Sequence, residues 1–422
     1  MGTTRQINRL RKPTFKNLLI LLGGEFTARG FTFVAFAYLA RTLGQESYGY
    51  IAPAYAVLMF CTLIADFGAG TFGTREIAKN PDVTENLVNK VASAQMLIAV
   101  ILLFLLIVVG LFVPNFILAR LLTGFGISLL GVPFLLNWVF QARNEMFLAA
   151  APLAFRQGVF LLITLLIISE PSDVVRLPFA EIGAIGAAGL IYVIVYNNRV
   201  GRFRLSLAQG VDKDLLKHAL PIGGAQFIWA LRIYLPIILV GVLQGAGSAG
   251  LFDVGHRIVM VFQAFLGVYF TNLLPALSLT SHESLKEMKG LLFRSVLLSV
   301  LPAIALAVCV YFVAPNVLKI VYGNSFVVDE SVRSFAILTW LVPVLALRRN
   351  ARTALITLNR QNMDFNISAV GVVIMILLLV PLTFYYGIIG CAWAMVISEL
   401  LSMILTWIFL FPEIRNREDI LK

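Results

Sequence analysis

Charged side chains are scarce in this sequence of 422 residues, in which Asp, Glu, Lys and Arg together make up 13%. An average soluble domain carries roughly a quarter. Cysteine and histidine are rarer still, with three of each. Cys61, Cys309 and Cys391 stand alone in apolar runs, whereas disulfide frameworks and metal sites need closely spaced pairs. We therefore expect cysteines that pack as small apolar residues, no metal site and no cofactor.

Apolar residues, in contrast, make up 59% of the chain, and its mean hydropathy is +0.90. A helix that spans a bilayer needs about 20 mostly apolar residues, and the sequence supplies such a run repeatedly. This pattern predicts an all-α polytopic membrane protein with about twelve transmembrane helices. The predicted spans are 18–39, 48–67, 89–113, 118–140, 147–168, 177–196, 218–243, 249–274, 291–313, 334–358, 365–385 and 388–411.

Basic residues are distributed unevenly among the segments that connect these spans. The net charge is +11, and most of the 33 Lys and Arg fall on one side of the membrane when the N-terminus is placed in the cytoplasm. Such asymmetry is typical of the positive-inside rule, and it explains the basic charge without nucleic acid. No short apolar core with a small-residue cleavage site follows the basic tail. We expect a retained tail and both termini in the cytoplasm.

The two halves of the chain repeat several short patterns. The glycine pair at 23–24 in the first span recurs at 223–224 in the seventh, and the Val-Pro pair at 132–133 recurs at 342–343. Parallel repeats are a recurrent plan of transporters, with the substrate between the halves. We therefore predict two six-helix lobes related by an internal repeat. The predicted segments are a cytoplasmic N-terminal tail at 1–17, an N-lobe at 18–196, a cytoplasmic linker at 197–217, a C-lobe at 218–411 and a C-terminal tail at 412–422.

The connections between the spans are too short for a soluble catalytic domain, which generally needs more than about 50 residues. The glycine spacing at 245–250 fits a nucleotide-binding pattern, but no strand precedes it, so a turn between two helices is the better interpretation. We expect a carrier rather than an enzyme.

Four arginines, at positions 29, 156, 232 and 257, fall deep within predicted spans, and three more, at 348, 349 and 352, fall in the inner-leaflet half of the tenth span. An ionised group inside a bilayer is costly and is a functional hypothesis by default. One interpretation is structural. Glu25 with Arg29, and Asp253 with Arg257, are spaced to pair across one helical turn, and some arginines could reach the headgroups. The other interpretation is a cationic, water-filled cavity that binds phosphate through guanidinium groups. The candidates for this cavity are Arg29, Arg232, Arg257, Arg156, Arg348, Arg349 and Arg352.

We expect an ion gradient to supply the energy for a carrier with such a cavity. The candidates for a titrating or ion-binding group are the side chains of Glu25, Asp253, His256 and Glu399, which all lie within predicted spans. In the leading hypothesis, Arg29, Arg232 and Arg257 attract the anionic group of the substrate.

Residues 40–78, ARTLGQESYGYIAPAYAVLMFCTLIADFGAGTFGTREIA, and the segment NWVFQ at 137–141 resemble Wzx-type polysaccharide flippases for O-antigen or capsule. These flippases belong to the multidrug/oligosaccharidyl-lipid/polysaccharide exporter superfamily. The resemblance implies a V-shaped pair of six-helix lobes that works by alternating access. The implied cargo is an undecaprenyl-pyrophosphate-linked oligosaccharide unit, which crosses from the cytoplasmic to the outer leaflet of the bacterial inner membrane. Implied partners are membrane lipids and the glycan polymerase machinery.

The resemblance also implies arginines on helices 1, 2 and 8 of a central cavity. Arg29 and Arg257 lie on matching helices, but Asp66 is the only charge near the end of helix 2. Two alternatives remain open. One is a cation-coupled multidrug exporter of the same superfamily, which would favour acidic cavity residues, and the other is a non-transporting membrane scaffold of glycan assembly.

Overall fold

The computed structural model describes residues 15–206, 212–283 and 285–421. Within these ranges the chain forms thirteen α-helices joined by short turns, and no β-strand occurs in them. Most of the predicted N-terminal tail and part of the predicted linker lie outside the described residues. The helices are α1 (Phe15–Asp66), α2 (Ala69–Lys79), α3 (Thr84–Phe112), α4 (Phe116–Ser128), α5 (Asn137–Ala142), α6 (Met146–Ile167), α7 (Leu177–Arg199), α8 (Lys213–Gln244), α9 (Ala246–Glu283), α10 (Leu285–Tyr322), α11 (Asp329–Thr339), α12 (Leu341–Thr357) and α13 (Gln361–Leu421).

The predicted class, an all-α polytopic membrane protein, is confirmed. In the described part of the chain, ten helical stretches are long and apolar enough to cross a membrane. Two of them, Leu19–Lys79 with 61 residues and Gln361–Arg415 with 55 residues, are far longer than one span requires. Each is long enough for two spans, and the count of about twelve stays a prediction.

Kinks interrupt both of the long helices at a glycine. Gly44 in α1 has φ +71°, and Gly387 in α13 has φ +58°. Glycine adopts this region readily because it has no Cβ. The connection predicted between the spans 18–39 and 48–67 is therefore a kink at Gly44 with helix on both sides of it, because a single residue with positive φ is enough to redirect the chain.

Two other predicted spans are also not continuous helices. The span 118–140 is divided into α4, a 3-10 segment at Leu129–Phe134 and α5, and the span 334–358 is divided between α11 and α12 at Trp340. Each interruption lies beside one of the repeated Val-Pro pairs. Proline has no N–H for the helical hydrogen bond, so it favours the start of a helix over its interior.

The chain divides into two compact units. The first consists of the described residues up to Leu43 together with Ala54–Ala230, and the second of Gly44–Pro53 together with the described residues from Leu231 onward. The long helices α1 and α8 contribute segments to both units. The lobe boundaries predicted from the sequence stay a prediction.

The core of the first unit is built around aromatic side chains of α5 and α7. Phe140 stacks on Tyr192 with 5.9 Å between the ring centroids. Tyr192 donates a hydrogen bond of 2.7 Å from its hydroxyl to the carbonyl oxygen of Ala149, so its polar end is satisfied inside the core. Leu215 and Ala219, in the first turns of α8, are buried in the same cluster.

A close backbone contact joins the turn after α1 to α8 within the first unit. A Cβ on Gly223 would lie 2.5 Å from the carbonyl oxygen of Phe67, and a Cβ on Gly68 would lie 2.4 Å from the backbone nitrogen of Gly223. Gly68 also has φ +83°. A Cβ on the neighbouring Gly224 would meet nothing within 4 Å. Only one member of this glycine pair therefore permits the close approach.

We expect the substitution Gly223→Ala to destabilise the protein, because the added methyl group meets backbone that cannot rotate away. Overpacking of this kind costs about 1–3 kcal/mol. Thermal unfolding of the purified protein in detergent measures the effect. Gly224→Ala is the matched control and should leave the melting temperature unchanged. Equal melting temperatures for the two variants would contradict the contact.

The core of the second unit combines apolar packing with a buried polar ladder between α10 and α12. Leu292 and Leu355 belong to its apolar cluster. Ser295 donates a hydrogen bond of 2.5 Å to Asn350 Oδ1, and Asn350 Nδ2 donates one of 2.9 Å to Ser299 Oγ. These buried polar groups satisfy one another, so the two helices are held in one register.

Candidate substrate-binding site

Two of the seven candidate arginines lie in the first unit, and each has a carboxylate partner. Arg29 Nη2 lies 2.7 Å from Glu25 Oε1 across one turn of α1, with both side chains about half exposed. Arg156 on α6 forms an ion pair with the buried Glu181 on α7. The spacing within helix 1 predicted the first pair. Glu181 lies on a different helix from Arg156, so spacing along one helix could not find the second.

Arg257 forms a buried trio with Asp253 and Tyr48 in the second unit. Arg257 Nε lies 2.5 Å from Asp253 Oδ2, which also accepts a hydrogen bond of 2.5 Å from the hydroxyl of Tyr48. Arg257 donates a further hydrogen bond of 3.1 Å to that hydroxyl oxygen. His256 is buried beside this trio and stacks on Phe252 at 5.7 Å. The sequence predicted the Asp253 pair, but it gave no sign of Tyr48.

Three helices of the second unit meet at Glu399 on α13. Its two carboxylate oxygens pair with different arginines: Oε2 with Arg232 on α8, and Oε1 with Arg348 on α12 at 2.6 Å. The guanidinium of Arg348 also donates a hydrogen bond of 2.8 Å to Ser368 Oγ. All three charged groups are largely buried, with side-chain exposures of 15% for Arg232, 8% for Arg348 and 7% for Glu399.

Arg349 and Arg352 extend this group along α12. Arg352 Nε lies 2.9 Å from Asp364 Oδ2 on α13. Arg349 is half-buried, and its Nη1 donates a hydrogen bond of 3.3 Å to the carbonyl oxygen of Gln263 on α9. Among the residues that the structure describes, no carboxylate forms an ion pair with Arg349.

We call Arg232, Arg348, Arg349, Arg352, Glu399 and Asp364 the arginine cluster. Arg349 lies close enough to Arg348, Arg352 and Glu399 to interact with their charges. Four arginines face two carboxylates, which leaves a formal charge of +2. Arg232 and Arg348 share the single carboxylate of Glu399 in the largely buried part of the cluster, where excess charge is costly without a counter-ion. The cluster is therefore suited to bind an anion.

The chemistry of the cluster favours phosphate. A guanidinium group donates parallel hydrogen bonds in a fork that matches phosphate oxygens, and it stays ionised at any physiological pH. Arg349 is the member with a hydrogen bond to a backbone carbonyl but no carboxylate, so its charge is the least neutralised. A diphosphate diester carries two negative charges, which match the excess of the cluster.

The structure distributes the predicted site residues over several groups. It brings Arg232, Arg348, Arg349 and Arg352 together with Glu399. Arg257 has its own partners in Asp253 and Tyr48. Arg29 and Arg156 belong to the first unit. Of the predicted ion-coupling residues, Glu25, Asp253 and Glu399 each form an ion pair with arginine, and His256 is buried.

Comparison with known proteins identifies related sequences along most of the chain. Residues 14–281 match the family described as "Polysaccharide biosynthesis protein". Two curated relatives carry the name "Putative O-antigen transporter". The relative from Shigella dysenteriae is 24% identical over 409 residues, which cover 95% of this chain and 100% of the relative. The relative from Escherichia coli strain K12 is 25% identical over 388 residues, which cover 89% and 91%.

Solved membrane transporters share the fold. An inward-facing multidrug resistance MATE family transporter of the MOP superfamily gives a TM-score of 0.75 at 12% identity, covering 92% of this chain and 95% of that one. The lipid II flippase MurJ in an inward closed conformation gives 0.73 at 13% identity, covering 92% and 86%. At such low identity these likenesses concern the fold alone.

Proposed function

The chain belongs to the polysaccharide biosynthesis protein family, and we propose that it is a flippase which moves a lipid-linked oligosaccharide across the membrane. The family membership confirms the resemblance predicted from residues 40–78 and 137–141. The name of the two curated relatives supports a cargo that becomes part of an O-antigen or a similar surface glycan. The fold shared with a lipid II flippase is consistent with a cargo that has a lipid tail.

The part of the cargo that this chain recognises is, in our proposal, the diphosphate between lipid and sugar. The observation that carries the proposal is Arg349, an arginine without a carboxylate partner among the described residues, in a cluster with a formal charge of +2. Coulomb attraction is strong where protein replaces water, so a doubly negative group gains much more there than a neutral sugar does. The undecaprenyl form of the lipid belongs to the same proposal.

Binding at this site has to be reversible, because a carrier also releases its cargo. Glu399 and Asp364 serve that need in the proposal: they neutralise two of the four arginines and keep the attraction moderate. The sugar would travel through hydrated protein interior while the lipid tail stays in the bilayer. We propose translocation by alternating access, from the cytoplasmic to the outer leaflet of a bacterial inner membrane.

The remaining predicted residues keep secondary places in the proposal. Arg29, half exposed and paired with Glu25 in the first unit, stays a candidate for contact with the cargo. Arg156 and Arg257 are held by buried carboxylates and would act by shaping the interior. We also propose that both termini lie in the cytoplasm and that the protein contacts the glycan polymerase machinery. The candidates for coupling transport to an ion remain Glu25, Asp253, His256 and Glu399.

A multidrug exporter is the second candidate, since a MATE family transporter shares the fold. An exporter of cationic drugs favours carboxylates that are free to pair with the drug. Glu25, Asp253 and Glu399 are each paired with arginine here, which favours an anionic cargo.

Deletion of the gene, followed by complementation with the intact chain, tests the proposed function. We expect loss of surface glycan together with accumulation of lipid-linked repeat units inside the cell, and recovery of both on complementation. The susceptibility of the deletion strain and the complemented strain to cationic drugs tests the exporter alternative. Unchanged surface glycan with raised drug susceptibility would overturn the flippase in favour of the exporter.

A further inference from the structure

Asp66 at the end of α1 is a carboxylate without a basic partner. No Lys or Arg in the described part of the chain lies within ion-pair distance of it, in contrast to Glu25, Glu181, Asp253 and Glu399. Its Oδ1 accepts a hydrogen bond of 3.0 Å from Gln95 Nε2 and one of 3.3 Å from the backbone N–H of Gly70. Its side chain is half-buried. A negative charge in this position is stabilised by neutral donors alone.

The carboxylate lines a cavity of about 270 Å³ that lies entirely within the first unit. A water molecule occupies about 30 Å³ of liquid, so the cavity has room for an ion together with several waters. The other walls are rich in oxygen. Three threonines and two amides contribute to them: Thr62, Thr71, Thr74, Asn137 and Gln141.

Two of the threonine hydroxyls keep oxygen lone pairs for a cation. Thr62 and Thr74 donate their hydroxyl protons to the carbonyl oxygens of Leu58 and Gly70, at 2.9 Å in each case. Their oxygen lone pairs therefore remain available. Thr71 differs from these two, because its hydroxyl oxygen already accepts a hydrogen bond from Gln226 Nε2.

The number of carboxylates indicates the charge of the ion. Sites for Ca²⁺ usually contain several carboxylates, and transition metals favour His and Cys. No group of three or more His, Cys, Asp or Glu capable of holding a metal occurs among the described residues. One carboxylate with hydroxyl and amide oxygens balances a single positive charge.

We propose that the cavity around Asp66 binds one alkali cation, with Na⁺ as the representative ion. The carboxylate supplies the charge, and Thr62, Thr74 and the amide groups supply neutral oxygen ligands. The site differs from the predicted ion-coupling residues, whose carboxylates are occupied by arginine. Its use to couple an ion gradient to transport rests on the proposed flippase function, whereas binding of the ion itself does not.

Binding of ²²Na⁺ to the purified full-length protein in detergent tests the proposal, with choline chloride to hold the ionic strength constant. We expect saturable binding of one Na⁺ per chain and its loss in Asp66→Asn, which keeps the shape of the side chain and a carbonyl oxygen for Gln95. Thr62→Val, which removes one oxygen ligand and keeps the charge, should weaken binding several-fold. Asp329→Asn, at an exposed ion pair with Arg333, is the control and should bind as the parent does.

The cation site would be overturned if the parent protein showed no saturable ²²Na⁺ binding, or if Asp66→Asn bound Na⁺ as well as the parent does. A melting temperature of the parent that Na⁺ does not raise at constant ionic strength would also overturn it, because a ligand that binds only the folded state stabilises that state. The assay contains no lipid-linked glycan, so its failure leaves the flippase proposal standing, and a failure of glycan assembly leaves the ion site standing.

Discussion

Glu399→Gln is expected to deprive the protein of most of its stability. The substitution removes the carboxylate that pairs with both Arg232 and Arg348, and all three groups are largely buried. Leaving a buried charge without its partner costs about 3–5 kcal/mol, a large fraction of the stability of a typical domain. We expect a sharply reduced yield of monodisperse protein and a lower melting temperature in detergent.

Asp329→Asn provides the matched control for this experiment. It also removes a carboxylate from an ion pair with arginine, but both side chains of that pair are exposed, at 66% for Arg333 and 71% for Asp329. Exposed pairs contribute about 0–1 kcal/mol. A melting temperature that falls equally in the two variants would show that burial of Glu399 is not what makes its charge important.

A double substitution separates the charge effect from general damage at Glu399. In Glu399→Gln with Arg348→Gln, only Arg232 is left without its carboxylate. The double variant should therefore be more stable than Glu399→Gln alone, although one more contact has been removed. Additive losses would contradict electrostatic coupling between the two residues, because only interacting residues depart from additivity in this way.

Arg349→Gln is expected to reduce glycan assembly strongly while the protein still folds. The side chain has no carboxylate partner among the described residues, so its removal leaves no buried anion unpaired. A charge-assisted hydrogen bond to phosphate is worth about 1.5–3 kcal/mol, which corresponds to a loss of about tenfold or more. Surface glycan and the intracellular pool of lipid-linked repeats, measured in a complemented deletion strain, report the effect.

Two further substitutions test how the protein recognises the cargo. Arg349→Lys keeps the charge but loses the planar fork, so partial activity is expected. Arg360→Gln removes a half-exposed arginine that pairs with Glu413 outside the arginine cluster, and it should support glycan assembly as the parent does. If Arg349→Gln supported normal glycan assembly at normal protein levels, Arg349 would have no part in recognising the cargo.

The sequence was sufficient for the class of the fold. Runs of apolar residues predicted a helical membrane protein, and the arrangement of residues 40–78 predicted the family. The kink at Gly44 was within a predicted connection, but the continuation of helix on both sides was not predicted. Helical geometry at the ends of a span depends on its neighbours, and a hydropathy pattern has no information about them.

The candidate site was predictable only in part. Pairing at a spacing of four residues is a local property, and it correctly connected Glu25 to Arg29 and Asp253 to Arg257. Glu399 was identified as an unusual charge, but its two arginine partners lie on other helices. Such contacts arise from the packing of different helices, so the spacing of residues along one helix cannot reveal the carboxylate partner of Arg232 or Arg348.

The same limit explains why Asp66 was noticed but not used. In the sequence it is one charge near the end of a span. Its cavity is built by α1, α2, α3 and α5, which come together only in the folded unit. The polar residues that line it are individually ordinary, and only their convergence on an unpaired carboxylate makes them informative.

Affinity of the purified protein for a polyprenyl diphosphate, compared with the corresponding monophosphate, tests the central claim most directly. Native mass spectrometry of the parent and Arg349→Gln in the same detergent provides the measurement. The excess charge of the arginine cluster predicts preference for the diphosphate in the parent and, for Arg349→Gln, an affinity about tenfold lower with most of that preference lost. Equal affinities of the two proteins for the diphosphate would contradict recognition of the cargo by the arginine cluster.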